Sequence, residues 1–362
     1  MIRLSSVIEL FETTFLQRYK NQLLPSHKKA LGAMKVCRAR HSLLMLARCG
    51  ECDEPVYVPH SCGHRSCPHC QAHESQQWLE RQLKKQVPGE YFLLTFTLPA
   101  QFRPLAWAHQ RKLYDAMIKQ SWETLNTFSQ NDKQLQGTPG VIAVLHTHAR
   151  NLDFHPHVHI VMPAMVIDKV KRLWRSKKSG GNAPYLFSHT ALAKVFRAKM
   201  LAAITQTGLT LPTQHPEKWV VDCTSVGSGE KALIYLGRYL YRGVIREKDI
   251  MSCQNGNVTF RYQDSKTKQW VFKTVSGEKF LWRVLQHVLP KRFRRTRNFG
   301  FLHPNSKRLI QVLQLLFGFD PNRALAWIKE RPKMLCRYCG GEMEIIKTRI
   351  PPDRLLAAMV PT

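Results

Sequence analysis

The apolar positions of this chain fall into two alternating rhythms. Over residues 7–24, Ile8, Phe11, Phe15 and Tyr19 recur at helical spacing, and Ser6 with Glu9 has capping-box spacing, so a helix is expected. A polar helix is expected to run through Leu83. Tyr91-Phe-Leu-Leu-Thr-Phe-Thr-Leu98 is dense in β-branched and aromatic residues and stops at Pro99, the pattern of a buried strand. Residues 106–128 return to the helical period. Two apolar runs, 140–147 and 155–162, flank the polar segment 149–154 and are expected to form neighbouring antiparallel strands. Helices are expected over 189–206, 229–242, 277–289, 306–317 and 321–330, with a strand at 218–223 and a hairpin from 257–262 and 269–274. Strands and helices interleave without a strict βαβ rhythm, which points to the α+β class, an antiparallel sheet with flanking helices.

With 362 residues the chain has room for two or three domains, and a hydrophobic share of 44% argues for a folded protein. No run approaches the roughly 18 apolar residues that cross a bilayer. The first 24 residues mix Glu9, Glu12, Arg18 and Lys20 with apolar positions. Neither a membrane anchor nor a secretory signal is expected, and a cytoplasmic location follows. Against 25 acidic residues stand 55 lysines and arginines, a net charge of +30. Such an excess calls for a polyanion whose phosphates release counterions on binding. An anionic membrane surface is the rival, but no uninterrupted basic amphipathic helix supports it. Two stretches concentrate the charge. Residues 169–181 carry Lys169, Lys171, Arg172, Arg175, Lys177 and Lys178 ahead of Ser-Gly-Gly and read as a basic loop. Residues 290–308 carry Lys291, Arg292, Arg294, Arg295, Arg297, Lys307 and Arg308 without an acidic residue, and are expected to track a nucleic-acid backbone. Phe293, Phe299 and Phe301, interleaved there, either stack on bases or belong to the core.

Six of the ten cysteines lie between Cys37 and Cys70. In a reducing compartment, Cys49-x-x-Cys52 and Cys67-x-x-Cys70 read as two chelating turns that complete one tetrahedral, four-sulfur Zn²⁺ site. Cys37, His41, His60, Cys62, His64 and His69 are candidates for a second site. The preferred reading makes Cys37 and Cys62 small core residues and turns the histidines to phosphate. Cys336-x-x-Cys339 is a half-knuckle that either recruits Cys37, Cys62 or a histidine through space or is a simple turn.

Residues 155–159 read His-Pro-His-Val-His. On a strand, His157 and His159 share a face, and two imidazoles one repeat apart can hold a divalent metal. His146 or His148, on the preceding strand, would supply a third ligand; the plain alternative is a set of histidines on a solvent-facing edge. Tyr235 and Tyr239 lie four apart on the expected helix, with Arg238 and Arg242 on the neighbouring ridge. A phenol beside a metal can attack a phosphodiester, with arginines neutralising the transition state, although aromatics at this spacing also pack in cores.

Further motifs stand in order along the chain: Ser61-Cys62 through Arg65-Ser-Cys67-Pro-x-Cys70-Gln71, Thr95-Phe-Thr-Leu-Pro99, Ala143-Val-Leu-His146-Thr147, His155-Pro-His157-Val-His159, Tyr235-Leu-Gly-Arg-Tyr239, Val258-Thr-Phe-Arg-Tyr262, His287-Val-Leu-Pro290, Arg295-x-Arg297 and Gly300-Phe-Leu302. Over residues 25–345 the sequence resembles the two-tyrosine HUH transposases of bacterial rolling-circle insertion sequences, which carry an N-terminal zinc-binding domain. The resemblance implies an HUH-endonuclease-like sheet at 89–290, after an N-terminal helix at 1–34 and a zinc-binding domain at 35–88, and before a basic helical region at 291–362. It implies Mg²⁺ or Mn²⁺ on His157 and His159, Zn²⁺ in the N-terminal module, and 5′-phosphotyrosine links through Tyr235 and Tyr239. The implied partner is single-stranded DNA at the element's ends, hairpins included, in the bacterial nucleoid. No membrane, ATP or small-molecule substrate is implied, and nothing about oligomeric state. The chain departs from the family pattern at His148, at Gly243-Val-Ile-Arg246 and at Arg337. Two other classes remain: a zinc-dependent DNA-binding regulator, and a metal-dependent nuclease that uses water in place of tyrosine.

Overall fold

The computed structural model describes residues 2–352 apart from 40–41, 71, 169, 172, 178–185, 242, 265 and 329–332; at 72, 238, 239, 241, 324 and 327 it describes the backbone alone. The chain gathers into two units, each built from separated segments. One comprises Met1–Glu74, Tyr241–Val288 and Lys329–Thr362, the other Ser75–Leu240 and Leu289–Ile328.

The second unit is organised on one antiparallel sheet. Its strands run in the order Leu173–Ser176, Met165–Asp168, Thr138–His148, Phe154–Pro163, Tyr91–Thr97 and Val221–Ser225, and Thr296–Gly300 pairs along Thr138–His148. Alternation decides its two faces. Phe92, Leu94, Phe96, Val141, Ala143, Leu145, Val158, Ile160 and Met162 enter one buried core with Leu113 and Met117 of helix Gln110–Asn131 and Phe196 and Met200 of helix His189–Gln206. With a side-chain period of two, Thr95, His146, His157 and His159 fall on the opposite face.

The helix expected over 106–128 is interrupted at His109 into Arg103–Ala108 and Gln110–Asn131. The stretch expected as helix at 321–330 is a 3₁₀ run, Pro321–Trp327. Strand Thr296–Gly300 lies inside the basic run, where charge masks its pairing. Gly300 ends it at φ +62°, and a Cβ there would sit 1.6 Å from the Pro139 carbonyl oxygen, so the site needs glycine.

In the first unit, helix Leu4–Tyr19 buries Val7, Ile8, Phe11 and Phe15. It packs on helix Gly277–Leu285, where the Phe11 ring fills the space a Cβ on Gly277 would take, and Tyr19 stacks on Trp282 at 4.8 Å. The expected Ser6–Glu9 box does not form; the helix begins at Leu4, whose N–H donates to Oε1 of buried Glu247 at 2.7 Å. A carboxylate inside the core, also 2.7 Å from His69 Nε2, caps the helix more strongly than an exposed serine would. Two three-stranded sheets complete this unit. One holds Leu44–Cys49 between Pro55–Pro59 and Met343–Ile350; the other is the expected hairpin, Asn257–Gln263 with Trp270–Ser276, extended by Ile250–Gln254. No helix among the described residues is long and apolar enough to cross a membrane.

Helix Pro25–Lys35 opens on a buried histidine: the Leu24 N–H donates to His27 Nδ1 at 3.2 Å, and burial lowers the His27 pKa from 6.5 to about 4. The neutral form is the one that folds, so its contribution is complete above pH 6.5 and is lost as the pH falls toward 4. We expect the 25–35 amides to lose about 3 kcal/mol of protection against hydrogen exchange across that window, a loss much reduced in His27→Gln. Equal pH slopes in the two proteins would contradict this.

Candidate active site

Antiparallel pairing sets His146 opposite His157 and Val144 opposite His159. The three imidazoles therefore converge: ring centroids lie 5.3 Å apart for His146–His157, 4.5 Å for His146–His159 and 4.8 Å for His157–His159. One ligand nitrogen from each lies within 4.8 Å of the other two. His146 and His157 are buried and His159 half-buried. Burial lowers the His157 pKa to about 4 and that of His159 to about 3, helped at His159 by the charge of His157; His146 is pushed well below 6.5, first by burial and then by its two neighbours. All three rings are thus neutral near pH 7, with lone pairs available to a cation.

Outer contacts orient the rings. His157 Nδ1 lies 2.7 Å from the His155 carbonyl oxygen, to which it donates, and His159 Nδ1 lies 2.9 Å from Thr95 Oγ1 on the adjacent strand. With each Nδ1 so engaged, Nε2 is left as the ligand atom. Three neutral nitrogens, with no carboxylate joining them among the described residues, suit a divalent transition ion. His155 stands outside the set, with Nδ1 2.7 Å from Arg103 Nη2. His148 pairs with Phe154 beyond a bulge that separates it from His146 in register.

Helix Glu230–Tyr241 carries Tyr235, whose ring stands edge-on to that of His159 at a centroid distance of 6.4 Å. Burial raises the Tyr235 pKa, and the positive charge of Arg150, in the turn between the two histidine strands, works against that rise. Tyr235 is nevertheless 44% exposed, open enough to meet a substrate. Local chemistry places the helix: Ser75 Oγ donates to the Gly237 carbonyl at 2.8 Å, and Arg295 Nη1 donates to the Leu240 carbonyl at 2.7 Å. A cation satisfying a last-turn carbonyl complements the helix dipole. Arg238 and Tyr239 lie on this helix with their side chains outside the described part, and Arg242 lies outside the described residues. Nothing in the sequence singles out Thr95 or Arg150. Thr95 stands in a strand motif, and Arg150 is one polar residue in a turn; only cross-strand geometry distinguishes them.

The cations expected to follow a nucleic-acid backbone divide. Arg295 caps the tyrosine helix, Arg297 pairs with Asp115 while lying over the Phe293 ring, and Lys177 Nζ bonds Asp132 Oδ2 at 2.6 Å. Partners distant in sequence, one carbonyl and two carboxylates, tie these three into the fold, although Arg297 also lines the cleft described below. Lys178 lies outside the described residues. Phe293 and Phe301 are buried and Phe299 stacks on Trp122 at 5.3 Å, so base stacking by these rings is replaced by core packing. Lys291, Arg292 and Arg294 are exposed. Arg292 and Arg294 line, with Arg81, Lys84, Lys85, Arg111 and Lys307, a cleft of about 1240 Å³ in the second unit that has no acidic side chain among its described lining residues. Burial, and then the charges of Arg81 and Lys307, lower the Lys85 pKa.

The four cysteines expected in one zinc shell part company. Cys67 and Cys70 join Cys37 and Cys62, while Cys49 and Cys52 join Cys336 and Cys339. The reason is tertiary: pairing of Leu44–Cys49 with Met343–Ile350 delivers the C-terminal knuckle to the first N-terminal turn. Cys37 and Cys62 are therefore ligand-positioned and not core fillers. Sulfur separations in the first set are 3.4 Å for Cys37–Cys70, 3.5 Å for Cys62–Cys70 and 3.6 Å for Cys67–Cys37. A tetrahedral zinc with bonds of about 2.3 Å places its sulfurs about 3.8 Å apart, so the set fits one zinc ion. Of the candidate histidines, His69 pairs with Glu247, His64 Nδ1 accepts from the Ser66 N–H at 3.2 Å, and His60 Nδ1 lies against the Ser61 carbonyl; His41 lies outside the described residues.

Because Thr95 orients His159, Thr95→Val should lower the affinity for Mn²⁺ measured by titration calorimetry by roughly 10–100-fold with the fold intact. Unchanged affinity would remove Thr95 from the site.

Residues 7–98 match the family model described as "Transposase zinc-binding domain", a span that includes Cys37, Cys62, Cys67 and Cys70. Residues 140–309, which include His146, Arg150, His157, His159 and Tyr235, match the model described as "Putative transposase". The chain is 29% identical over 316 residues to "Putative transposase y4qJ" of Sinorhizobium fredii (strain NBRC 101917 / NGR234), covering 81% of this chain and 79% of that one. It is 29% identical over 280 residues to "Transposase for insertion sequence element IS801" of Pseudomonas savastanoi pv. phaseolicola, covering 70% and 65%. Among solved structures, the relaxase TrwC complexed with a 27-mer DNA comprising the recognition hairpin and the cleavage site superposes with a TM-score of 0.28 and 16% identity, over 63% of this chain and 74% of that one. A likeness that distant leaves the chemistry to the site itself. Over residues 7–98 and 140–309 the chain is thus similar to insertion-sequence transposases, in both a zinc-binding segment and a transposase segment.

Proposed function

We propose that the protein cleaves and rejoins single-stranded DNA at the ends of its element, through 5′-phosphotyrosine intermediates. The observation that carries this reading is the Tyr235 ring standing 6.4 Å from that of His159, at the edge of a three-imidazole cluster. His146, His157 and His159 would hold the divalent cation, Mn²⁺ in preference to Mg²⁺ because a nitrogen-only donor set is a poor match for a cation that demands oxygen. When bound, that cation polarises the scissile phosphoryl group.

Tyr235 Oη attacks phosphorus and loses its proton, the bond to the 3′ oxygen breaks, and the 3′ oxygen leaves as a hydroxyl after taking up a proton. The 5′ phosphate stays on the tyrosine. Attack by another 3′-hydroxyl reverses the step, so the phosphodiester bond is conserved without ATP. Arg150 favours the phenolate and offsets the phosphate's charge; Arg238 and Arg242 are assigned the same task. Tyr239, one helical turn on, is the second nucleophile that permits two cleavages in one site. The basic cleft would receive the phosphates of the bound strand, and the cytoplasm, at the nucleoid, is the matching location.

Labelled oligonucleotides spanning an element end, incubated with the protein and Mn²⁺, should yield a denaturation-resistant protein–DNA adduct. Tyr235→Phe with Tyr239→Phe should abolish it, and His157→Ala with His159→Ala should abolish cleavage while DNA binding survives. An adduct in the double phenylalanine variant, or nicking with no adduct in the parent, would contradict the proposal; the second result would indicate hydrolysis by water.

A further inference from the structure

Cys336 and Cys339 lie outside both segments that match the family models. The segment 7–98 holds one complete four-thiol set, Cys37, Cys62, Cys67 and Cys70, but only half of another. The missing half comes from the far end of the chain. Cys49 Sγ lies 3.4 Å from Cys339 Sγ, Cys52 Sγ 3.6 Å from Cys336 Sγ, and Cys339 Sγ 3.4 Å from Cys52 Sγ, and all four sulfurs lie within 4.8 Å of one another. We propose that Cys49, Cys52, Cys336 and Cys339 form a second structural zinc site, which makes the C-terminal knuckle and strand an integral part of the zinc-bearing unit.

Four observations converge on this site. The separations are near the edge of about 3.8 Å expected for four thiolates on one zinc, and too short to enclose a multi-iron cluster. The four thiols are all free, so no disulfide competes for them. Backbone amides point at the sulfurs in both knuckles: the Glu51 N–H donates to Cys49 Sγ and the Gly341 N–H to Cys339 Sγ, each at 3.4 Å. Such donors stabilise thiolate in a bound shell. Finally, the turns interlock. A Cβ on Gly341 would sit 2.6 Å from Glu51 Cγ and 3.1 Å from Cys49 Sγ, Gly340 adopts φ +76°, and the Gly50 N–H donates to the Glu342 carbonyl at 3.0 Å.

The knuckles are continued by a sheet. Met343–Ile350 runs antiparallel to Leu44–Cys49, with Cys49 opposite Met343, Arg48 opposite Glu344 and Ala47 opposite Ile345. That strand is exposed along most of its length. Little apolar area holds it in place, and a four-thiolate ion supplies the missing constraint. The site has no vacant coordination position, so its task is architectural.

The test is metal and thiol stoichiometry in the full-length protein. Zinc released by thiol modification should amount to two ions per chain, and to one in Cys336→Ser with Cys339→Ser. Titration of the parent with a mercurial reagent should release two zinc ions as eight thiols are consumed, leaving Cys223 and Cys253 as the two outside the sites. This measurement decides the matter even where the variant does not fold. One zinc per parent chain, iron in place of zinc, or a variant that keeps both ions would overturn the proposal.

Discussion

A slip of one residue between Thr138–His148 and Phe154–Pro163 would turn the histidines of one strand into the apolar core and its valines and leucines outward. The candidate chemistry rests on that register not slipping. It is held by burial, since Val141, Ala143 and Leu145 on one strand and Val158, Ile160 and Met162 on the other enter the same core. Each large side chain so buried stabilises the pairing by about 1.5–3 kcal/mol, far more than any contact among the histidines themselves. The cluster is thus a by-product of the hydrophobic pattern: fixing the core face fixes His146, His157 and His159 on the other. Their burial then leaves them neutral and receptive to a cation, and the last-turn bond from Arg295 holds the tyrosine helix in position.

What could be read from the sequence follows from how locally each feature is determined. His157 and His159 share a face because strands alternate, and His146 lies on the only adjoining apolar run, so a strand pattern alone brings them to attention. Thr95 and Arg150 depend on which strand pairs with which and on the shape of a turn, neither of which leaves a periodic signal. The helix at Leu4–Tyr19 was legible, but its cap was not, because Glu247 arrives from 243 residues away. Distance along the chain also accounts for the cysteines. Spacing picks out pairs, and Cys-x-x-Cys is a sound pair in each case. Which pair meets which is settled by a sheet whose third strand, Met343–Ile350, is too exposed to look like a strand.

The positive charge behaves the same way. A run of arginines and lysines reads as a single binding surface until the partners are known. Asp132 and the Leu240 carbonyl engage Lys177 and Arg295 within the fold, and Asp115 pairs with Arg297 at the cleft wall, while Arg81, Lys84 and Lys85, which belong to no conspicuous basic run, join Arg292 and Arg294 around the cleft. A charge excess of +30 says that a polyanion is nearby; only the packing says which cations remain to meet it.

Strand register assembles the three-imidazole cluster, and the helix held by Ser75 and Arg295 sets Tyr235 beside it. Pulsed electron paramagnetic resonance of the Mn²⁺-loaded protein tests this arrangement most directly. Nitrogen couplings from three bound imidazoles are expected, falling to two in His146→Ala. An absence of directly bound nitrogen, or a spectrum unchanged by that substitution, would contradict it.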